Sequence, residues 1–317
     1  MTRLALMGGP DVATGYETAT VRMPHVRFTA VVDRDARAAE ASSRIVGAAI
    51  TARTFEELIT KNLGEFEAVV IHKVEGTVGD TVIAAARAGK HVLVNLPMTS
   101  TPKHVDRVIE SCREAGVRLM VGLPLRFMPS QQAVKAAVDA GKLGDPGLLR
   151  IHAWGVSETR SKDILRTQTI NSIDLALWML PGFPTTVYAV GRDGYVQVHL
   201  GFPNGSMALI DYASTLAGGE EYFSLSLIGS KGAAYADDHH NRNLLFVGGM
   251  AKAVATSQGA FHLIEPLREF VTAIEGKRQP TVTADDFKAA LHVTTAAVTS
   301  LEERRTVNLT GDAYEPA

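Results

Sequence analysis

The stretch MTRLALMGGPDVA, residues 1–13, joins a short apolar run to a glycine turn and then to a segment of helical composition. Leu4–Met7 is predicted to be a strand, and Gly8 and Gly9 after it allow the chain to turn sharply. A strand, a glycine turn and a helix in this order begin a βαβ unit, in which helices connect parallel strands. The chain is therefore expected to continue with strands and helices in alternation.

The alternation continues to about residue 122. Four further apolar runs are predicted as strands: Phe28–Val32, Ala68–Ile71, His91–Val94 and Arg118–Val121. Longer amphipathic segments separate them, and two of these carry helix start signals. Thr54 with Glu57 forms a capping box, and Thr101 stands before Pro102. We therefore predict an α/β domain with a parallel sheet over residues 1–122.

Residues 123–317 follow a different pattern. Their predicted strands alternate apolar and polar residues and are joined by turns such as Pro203-Asn204-Gly205. The clearest of these strands are LRIHAW, TTVYAVG, YVQVHLGF, MALIDYAS and YFSLSLIGS. Helices are predicted before and after most of them. The second domain is therefore expected to be α+β, with an open and mostly antiparallel sheet.

The composition excludes several classes of function. The formal net charge is −2 and no dense basic block is present, so we expect no binding to nucleic acid or to a membrane surface. The single cysteine, Cys112, allows no disulfide within the chain and no cysteine-based metal cluster. The cluster from Asp237 to Arg242 contains two histidines, but neighbouring residues on a strand point to opposite faces. We expect a cytoplasmic protein without a metal.

Several longer runs carry a family resemblance. They are AGKHVLVNLP (88–97), LMVGLPLRFMP (119–129), AGKLGDPG (140–147), FPNG (202–205), GSKG (229–232) and the closing run at 270–298. In this order they resemble the Gfo/Idh/MocA oxidoreductase family up to about Val307. The resemblance implies a Rossmann-type dinucleotide-binding domain, and a second domain whose sheet shapes a substrate pocket and forms subunit contacts. It also implies NAD or NADP as cofactor, a sugar, polyol or related small molecule as substrate, and a homodimer or homotetramer.

The dinucleotide turn departs from the family pattern. Family members have G-x-G-x-x-G/A, whereas this chain reads GGPDVA, with Gly8 and Gly9 retained and Pro10 at the second glycine position. Proline adds a ring and removes an N–H, so a weaker phosphate site is expected. Asp33 lies where an acidic residue would accept the ribose hydroxyls, which favours NAD, although Arg34 could serve a 2′-phosphate. The alternative is that Asp33 only caps the following helix.

The residues expected beside the nicotinamide have changed as well. The family's Glu-Lys-Pro tripeptide aligns with Asn95, Leu96 and Pro97, and leucine has no group that could take a proton. His72 and Lys73 follow a predicted parallel strand at its carboxyl end, where ligands bind in such sheets. We therefore predict that His72, Asn95 and Pro97 contact the cofactor and that Lys73 supplies the missing cation. Alternatively, Lys73 points into solvent.

In the second domain, the family pattern Asp-x-x-x-His-x-x-Asp aligns with Thr167, Asn171 and Asp174. Asn171 can bind a hydroxyl but cannot transfer a proton near neutral pH. We predict catalytic roles for Asn171 and Asp174, and substrate contacts for Arg126, Arg166 and Thr167. Asp174 could instead hold the pocket wall, Arg126 could tie the domains together, and Arg166 could belong to a solvated loop.

Two hypotheses of different classes follow. The first is a divergent NAD(P)-dependent oxidoreductase that uses other ionisable groups in place of the lost lysine and histidine. The second is a non-catalytic sensor or partner subunit that keeps the pocket for binding. The sequence leaves both open, because the losses affect proton transfer and not the pocket itself.

Overall fold

A computed structural model of the 317-residue chain describes residues 1–72, 77–95, 101–155, 160–214, 222–237, 242–247, 252–255 and 261–309. Lys73, Leu96 and Pro97 lie outside these ranges. The chain divides into two compact units. The first contains Met1–Pro124 and Ala260–Lys288, and the second contains Leu125–Gly259 and Ala289–Ala317.

The first unit is built on a six-stranded parallel sheet in the order β3-β2-β1-β4-β5-β6. Its strands are β1 (Thr2–Met7), β2 (Val26–Val32), β3 (Ile50–Ala52), β4 (Ala68–Ile71), β5 (His91–Asn95) and β6 (Leu119–Gly122). The central strands are apolar along their length because helices cover both faces of such a sheet, and all four residues of β4 are buried. The predicted parallel sheet is confirmed, with β3 added at one edge.

Helices connect the strands of this sheet. They are α1 (Pro10–Val21), α2 (Ala36–Val46), α3 (Phe55–Asn62), α4 (Val78–Arg87) and α5 (Pro102–Glu114). The capping box at α3 is present in altered form. The Thr54 hydroxyl accepts the Glu57 N–H at 3.1 Å, but the Glu57 carboxylate accepts the N–H of Arg53 at 2.9 Å and not that of Thr54. Thr101 is the N-cap of α5 without a side-chain cap hydrogen bond.

A late helix, α9 (Phe261–Glu275), completes the first unit. It packs on α1 where Gly15 leaves room, because a Cβ at Gly15 would lie 2.3 Å from Leu263 Cδ1. Thr2 on β1 donates to Glu275 Oε1 at 2.8 Å. The segment 260–288, which we expected within residues 123–317, therefore packs in the first unit, and a domain boundary after Gly122 stays a prediction.

The second unit contains a nine-stranded mixed sheet in the order β14-β13-β12-β11-β7-β10-β9-β8-β15. Its strands are β7 (Pro146–Trp154), β8 (Thr186–Arg192), β9 (Tyr195–Gly201), β10 (Met207–Ala213), β11 (Tyr222–Gly229), β12 (Gly232–Asp237), β13 (Arg242–Val247), β14 (Lys252–Ala255) and β15 (Val307–Asn308). All pairs are antiparallel except β7 with β10. The open, mostly antiparallel sheet is therefore as predicted.

The helices of the second unit supply its buried face. They are α6 (Pro129–Asp139), α7 (Ser161–Ile164), α8 (Ile170–Met179) and most of α10 (Ala284–Glu303). A π-helical turn, Leu165–Thr169, joins α7 to α8, so that residues 161–179 form one helical run packed against β10. Among the described residues, no helix has the length and apolar composition needed to span a membrane.

Candidate functional site

The first sheet has a switch point between β1 and β4, because the strand order runs outward in opposite directions from this pair. In doubly wound sheets ligands bind at this point, outside the carboxyl ends of the strands. Gly8 follows β1 there and His72 follows β4. A Cβ at Gly8 would lie 3.5 Å from His72 Cβ, so the two positions are direct neighbours.

A cleft of about 800 Å³ opens beside this switch point, within the first unit. Asp33, at the end of β2, is half-buried in its wall. Asp33 is not the cap of α2, because the N-cap is Asp35, which accepts the N–H groups of Arg37 and Ala38. Asp33 Oδ1 accepts the N–H of Asp35 at 3.0 Å, while Oδ2 faces the Gly9 turn, 4.0 Å from where a Cβ would stand. One carboxylate oxygen is thus directed at the turn.

The glycine turn has the features of a phosphate site, with one donor fewer than usual. Gly9 is the N-cap of α1 in extended conformation, so its backbone does not itself require glycine. Pro10 is the first helical residue, where a missing N–H costs the helix nothing. The N–H groups of Asp11 and Val12 lie in the first turn and have no intrahelical acceptor. The turn and cleft therefore fit a dinucleotide, with Asp33 for the ribose and these two N–H groups for the pyrophosphate.

A polar cluster lies at the switch point itself. His72 Nε2 is 2.6 Å from the Tyr16 hydroxyl and 2.7 Å from Asn95 Nδ2. The Tyr16 ring meets the His72 ring edge-on, with centroids 5.2 Å apart, and also packs on Phe28. Asn95 ends β5 opposite Gly122 of β6, and a Cβ at Gly122 would lie 2.3 Å from Asn95 Oδ1. The bare backbone of β6 thus makes room for the Asn95 amide.

The sequence pattern did not identify Tyr16 as a site residue. It is 1% exposed, and burial raises the pKa of its phenol, against a smaller lowering by the Asn95 hydrogen bond, so the hydroxyl stays protonated. The buried stripe of α1 runs through Ala13, Tyr16 and Ala19, a spacing that predicts only a core face. Its hydroxyl on this otherwise apolar stripe could have indicated a polar contact, since a buried tyrosine O–H usually needs a partner.

A charged pair lies in the second unit. Arg126 donates from Nε to Asp174 Oδ2 at 2.8 Å and from its terminal nitrogen to Oδ1 at 2.6 Å. Both residues are buried, and Asp174 is 0% exposed. The guanidinium also stands 5.7 Å from the ring centre of Trp178, one turn further along α8. The Asp174 carboxylate is therefore held in a two-pronged ion pair, which favours its charged form.

Asn171 lies on the same face of α8 as Asp174, three residues before it. Its Oδ1 is buried and has no hydrogen-bond partner among the described residues. The two other predicted residues of this segment are placed differently. Thr167 donates to the Asp163 carbonyl at 2.8 Å, and Arg166 is exposed on the π-helical turn. The structure thus pairs Arg126 with Asp174, places Asn171 on the same face of α8, and leaves Arg166 facing solvent.

The open face of the second sheet carries a hydrogen-bonded row across three strands, β7, β10 and β9. His152 Nδ1 lies 2.9 Å from Asp211 Oδ2, Gln197 donates to Asp211 Oδ1 at 2.6 Å, and His199 Nε2 lies 3.1 Å from Gln197 Oε1. Trp154 extends the row by stacking on Tyr222, with ring centres 3.9 Å apart. Large apolar side chains around the row are exposed: Tyr188, Val190, Tyr195, Met207, Ile228 and Tyr235.

Metal ligation has no candidate in the part of the chain that the structure describes, where no three His, Cys, Asp or Glu side chains come together.

Residues 3–123 match the family described as "Oxidoreductase family, NAD-binding Rossmann fold". Residues 131–235 match the "GFO/IDH/MocA C-terminal domain". The chain therefore belongs to the Gfo/Idh/MocA oxidoreductase family, and its first domain is of the NAD-binding Rossmann type.

Individual relatives agree with this assignment. The chain is 28% identical to the myo-inositol 2-dehydrogenase of Thermotoga maritima over 272 residues, covering 77% of this chain and 80% of that one. It is 26% identical to the inositol 2-dehydrogenase of Rhizobium meliloti, covering 97% and 99%. A levoglucosan dehydrogenase solved with NADH and levoglucosan has the same fold, with a TM-score of 0.87 at 17% identity, covering 97% and 99%. The curated relatives of this chain thus include inositol dehydrogenases.

Proposed function

We propose that the protein is an NAD-dependent oxidoreductase acting on a small, uncharged sugar or polyol through an altered proton-transfer site. The observation that carries the proposal is the Asp33 carboxylate oxygen directed at the bare Gly9 turn beside the 800 Å³ cleft. An acid in this place binds ribose hydroxyls and repels a 2′-phosphate. Of the other ionisable residues in the cleft wall, Asp35, Glu56 and Asp80 outnumber Arg34 and Arg53, which further favours NAD over NADP.

On the substrate side, the roles follow from the hydrogen bonds already formed. Asn171 Oδ1 is a buried acceptor for which the described residues supply no partner, and a substrate hydroxyl would satisfy it. Asp174 and Arg126 occupy each other's hydrogen-bonding groups, so they position the wall and do not take the proton. A carboxylate substrate would bring an acceptor to an acceptor at Asn171. We therefore favour a neutral substrate over an anionic one.

Proton transfer cannot follow the family's usual route, because Leu96 and Asn171 stand at the lysine and histidine positions. When bound, the nicotinamide supplies the hydride acceptor. The chain itself supplies His72 at the switch point, and Lys73 is the next residue along. We propose that these two residues bind the reacting oxygen and replace the missing acid–base pair.

The proposal is tested by calorimetric titration with NAD and NADP, followed by a panel of cyclic polyols, sugars and sugar acids. NAD should bind more tightly than NADP, and Asp33→Ser should reduce that preference. Tight NADP binding by the native chain would contradict our interpretation of Asp33. Turnover by the native protein that survives both Lys73→Ala and His72→Ala would contradict the assigned proton-transfer groups.

The second candidate function is a non-catalytic sensor or partner subunit. It is favoured by the loss of both titratable residues at Leu96 and Asn171. The deciding variant carries Leu96→Lys, Asn171→His, Asn95→Glu and Thr167→Asp together, which restores the family's side chains. A sensor should bind a polyol without oxidising it, and the restored variant should gain activity if NAD still binds.

We also propose a homodimer or homotetramer formed through the open face of the second sheet, within residues 185–250. The support is the group of exposed apolar side chains around the hydrogen-bonded row that contains His152. Within this group, Met207 is 53% and Tyr195 41% exposed. A light-scattering mass equal to the 33.9 kDa chain at micromolar concentration would exclude this.

A cytoplasmic location is likewise a proposal, and it rests on the single cysteine.

A further inference from the structure

The cluster at the switch point fixes the protonation of one histidine. Asn95 Nδ2 can only donate, so at 2.7 Å it requires His72 Nε2 to be an acceptor. The Tyr16 hydroxyl, 2.6 Å from the same nitrogen, stays protonated because burial raises the pKa of the phenol, and it can donate as well. Two donors directed at Nε2 leave the ring proton on Nδ1.

Packing holds the side chains of this cluster in place. Asn95 Oδ1 fills the space that Gly122 leaves over β6, where a Cβ would stand 2.3 Å away. The Tyr16 ring is held between Phe28 and His72, with centroids 5.5 Å and 5.2 Å away. The positions of the two donors are therefore set by packing, and the imidazole orientation follows from them.

We propose that Tyr16 and Asn95 are positioning residues, which hold His72 at the switch point as the neutral tautomer that carries its proton on Nδ1. This rests on the proposed oxidoreductase function and extends it. A neutral imidazole with a fixed Nδ1–H is a hydrogen-bond donor, able to polarise a carbonyl oxygen without a charge. In a site that has lost its lysine, the cluster thus holds one neutral imidazole in a fixed orientation.

A second histidine of the same sheet serves as a reference, because its neutral form carries the proton on the other ring nitrogen. His91, at the amino end of β5, accepts the Arg118 N–H at Nδ1, 2.8 Å away. When neutral it must carry its proton on Nε2. His72 follows β4 at the carboxyl edge of the sheet, and His91 begins the neighbouring strand β5 at the amino edge. They are predicted to be opposite tautomers.

The experiment is long-range ¹H–¹⁵N spectroscopy of the imidazoles in the nucleotide-free full chain, at a pH where both are neutral. His72 should show the Nδ1–H pattern and His91 the Nε2–H pattern. Asn95→Asp replaces the donor by an acceptor of nearly the same size and should move the His72 proton to Nε2. Tyr16→Phe keeps the ring and removes only one of the two donors, so His72 should keep the Nδ1–H pattern with a shifted Nε2 resonance. An Nε2–H pattern for His72 in the native chain would overturn the proposal.

Kinetics separate positioning from mere packing. With NAD and a polyol substrate, Tyr16→Phe should lower kcat about tenfold, as for one hydrogen bond of ordinary strength, and leave KM for NAD unchanged. An unchanged kcat in Tyr16→Phe would refute the role in the reaction. If the native chain neither binds NAD nor turns over a polyol, the proposed function fails. The spectrum of the nucleotide-free chain still tests the cluster in that case, because it requires no ligand.

Discussion

Each unit contains a buried polar centre, and the two centres pair their hydrogen-bonding groups in different ways. Tyr16, His72 and Asn95 satisfy one another as neutral groups, whereas Arg126 and Asp174 do so as a full ion pair. A neutral cluster can lose one member and keep most of its stability. A buried ion pair cannot, because the remaining charge is left in a poorly solvating interior. The first centre is therefore expected to tolerate the loss of one member, whereas the second depends on keeping both charges.

The largest effect expected from this difference is on stability. Arg126→Met should lower the free energy of unfolding by about 3–5 kcal/mol, because Asp174 stays buried without its partner. The double variant Arg126→Met/Asp174→Leu should recover most of this loss, since no charge remains. Denaturant unfolding of the two variants measures both. A single variant no less stable than the double one would show that Asp174 does not depend on Arg126.

A backbone substitution should break the neutral centre without touching its members. Gly122→Ala places a Cβ 2.3 Å from Asn95 Oδ1, so the amide must move away from His72. We expect a loss of about 1–3 kcal/mol, the usual effect of overpacking a filled site. Gly64→Ala is the control, because no atom of the described residues lies within 4 Å of its Cβ position. Equal stability of the two variants, measured by thermal unfolding, would contradict the close approach of Asn95 to β6.

A third comparison concerns two buried threonine hydroxyls of the second unit. Thr169 is 0% exposed and its hydroxyl has no hydrogen-bond partner in the described part of the chain, whereas Thr294, 1% exposed, donates to the Ala290 carbonyl at 2.7 Å. Thr169→Val should therefore raise the free energy of unfolding by about 1 kcal/mol, by removing an unsatisfied polar group. Thr294→Val should lower it by a similar amount. Destabilisation in both variants would mean that the Thr169 hydroxyl is bonded in solution.

The smallest effect is on pH dependence. Burial, followed by the nearby Arg118 charge, lowers the pKa of His91. As pH falls below about 6.5, the unfolded chain takes up a proton before the folded one, so stability should decrease until the lowered pKa is reached. His91→Gln should flatten this part of the profile, read as Tm between pH 7.5 and 5. His25→Gln, which removes an exposed histidine of the same unit, is the control. An unaltered slope in His91→Gln would refute the assignment.

The sequence predicted the strand ends and therefore the positions of Asp33 and His72, because both follow apolar runs of a parallel sheet. It could not predict what those side chains contact. Tyr16 meets His72 from 56 residues away, and Arg126 meets Asp174 from 48 residues away. These contacts depend on packing between elements, which the local pattern of polar and apolar residues does not encode. The π-helical turn before Asn171 was hidden for a related reason, since its backbone departs from the spacing that an α-helix predicts.

The helix α9 sets the order in which the protein can be completed on the ribosome. The first sheet ends at Gly122, but the helix that covers α1 at Gly15 arrives only after the 135 residues from Leu125 to Gly259 have been made. At about 5–20 residues per second, synthesis of these residues takes roughly 7–27 s, and α1 is not covered by α9 during that time. The amino-terminal unit is therefore begun first and closed nearly last. A nascent chain therefore leaves this face of α1 uncovered during that interval.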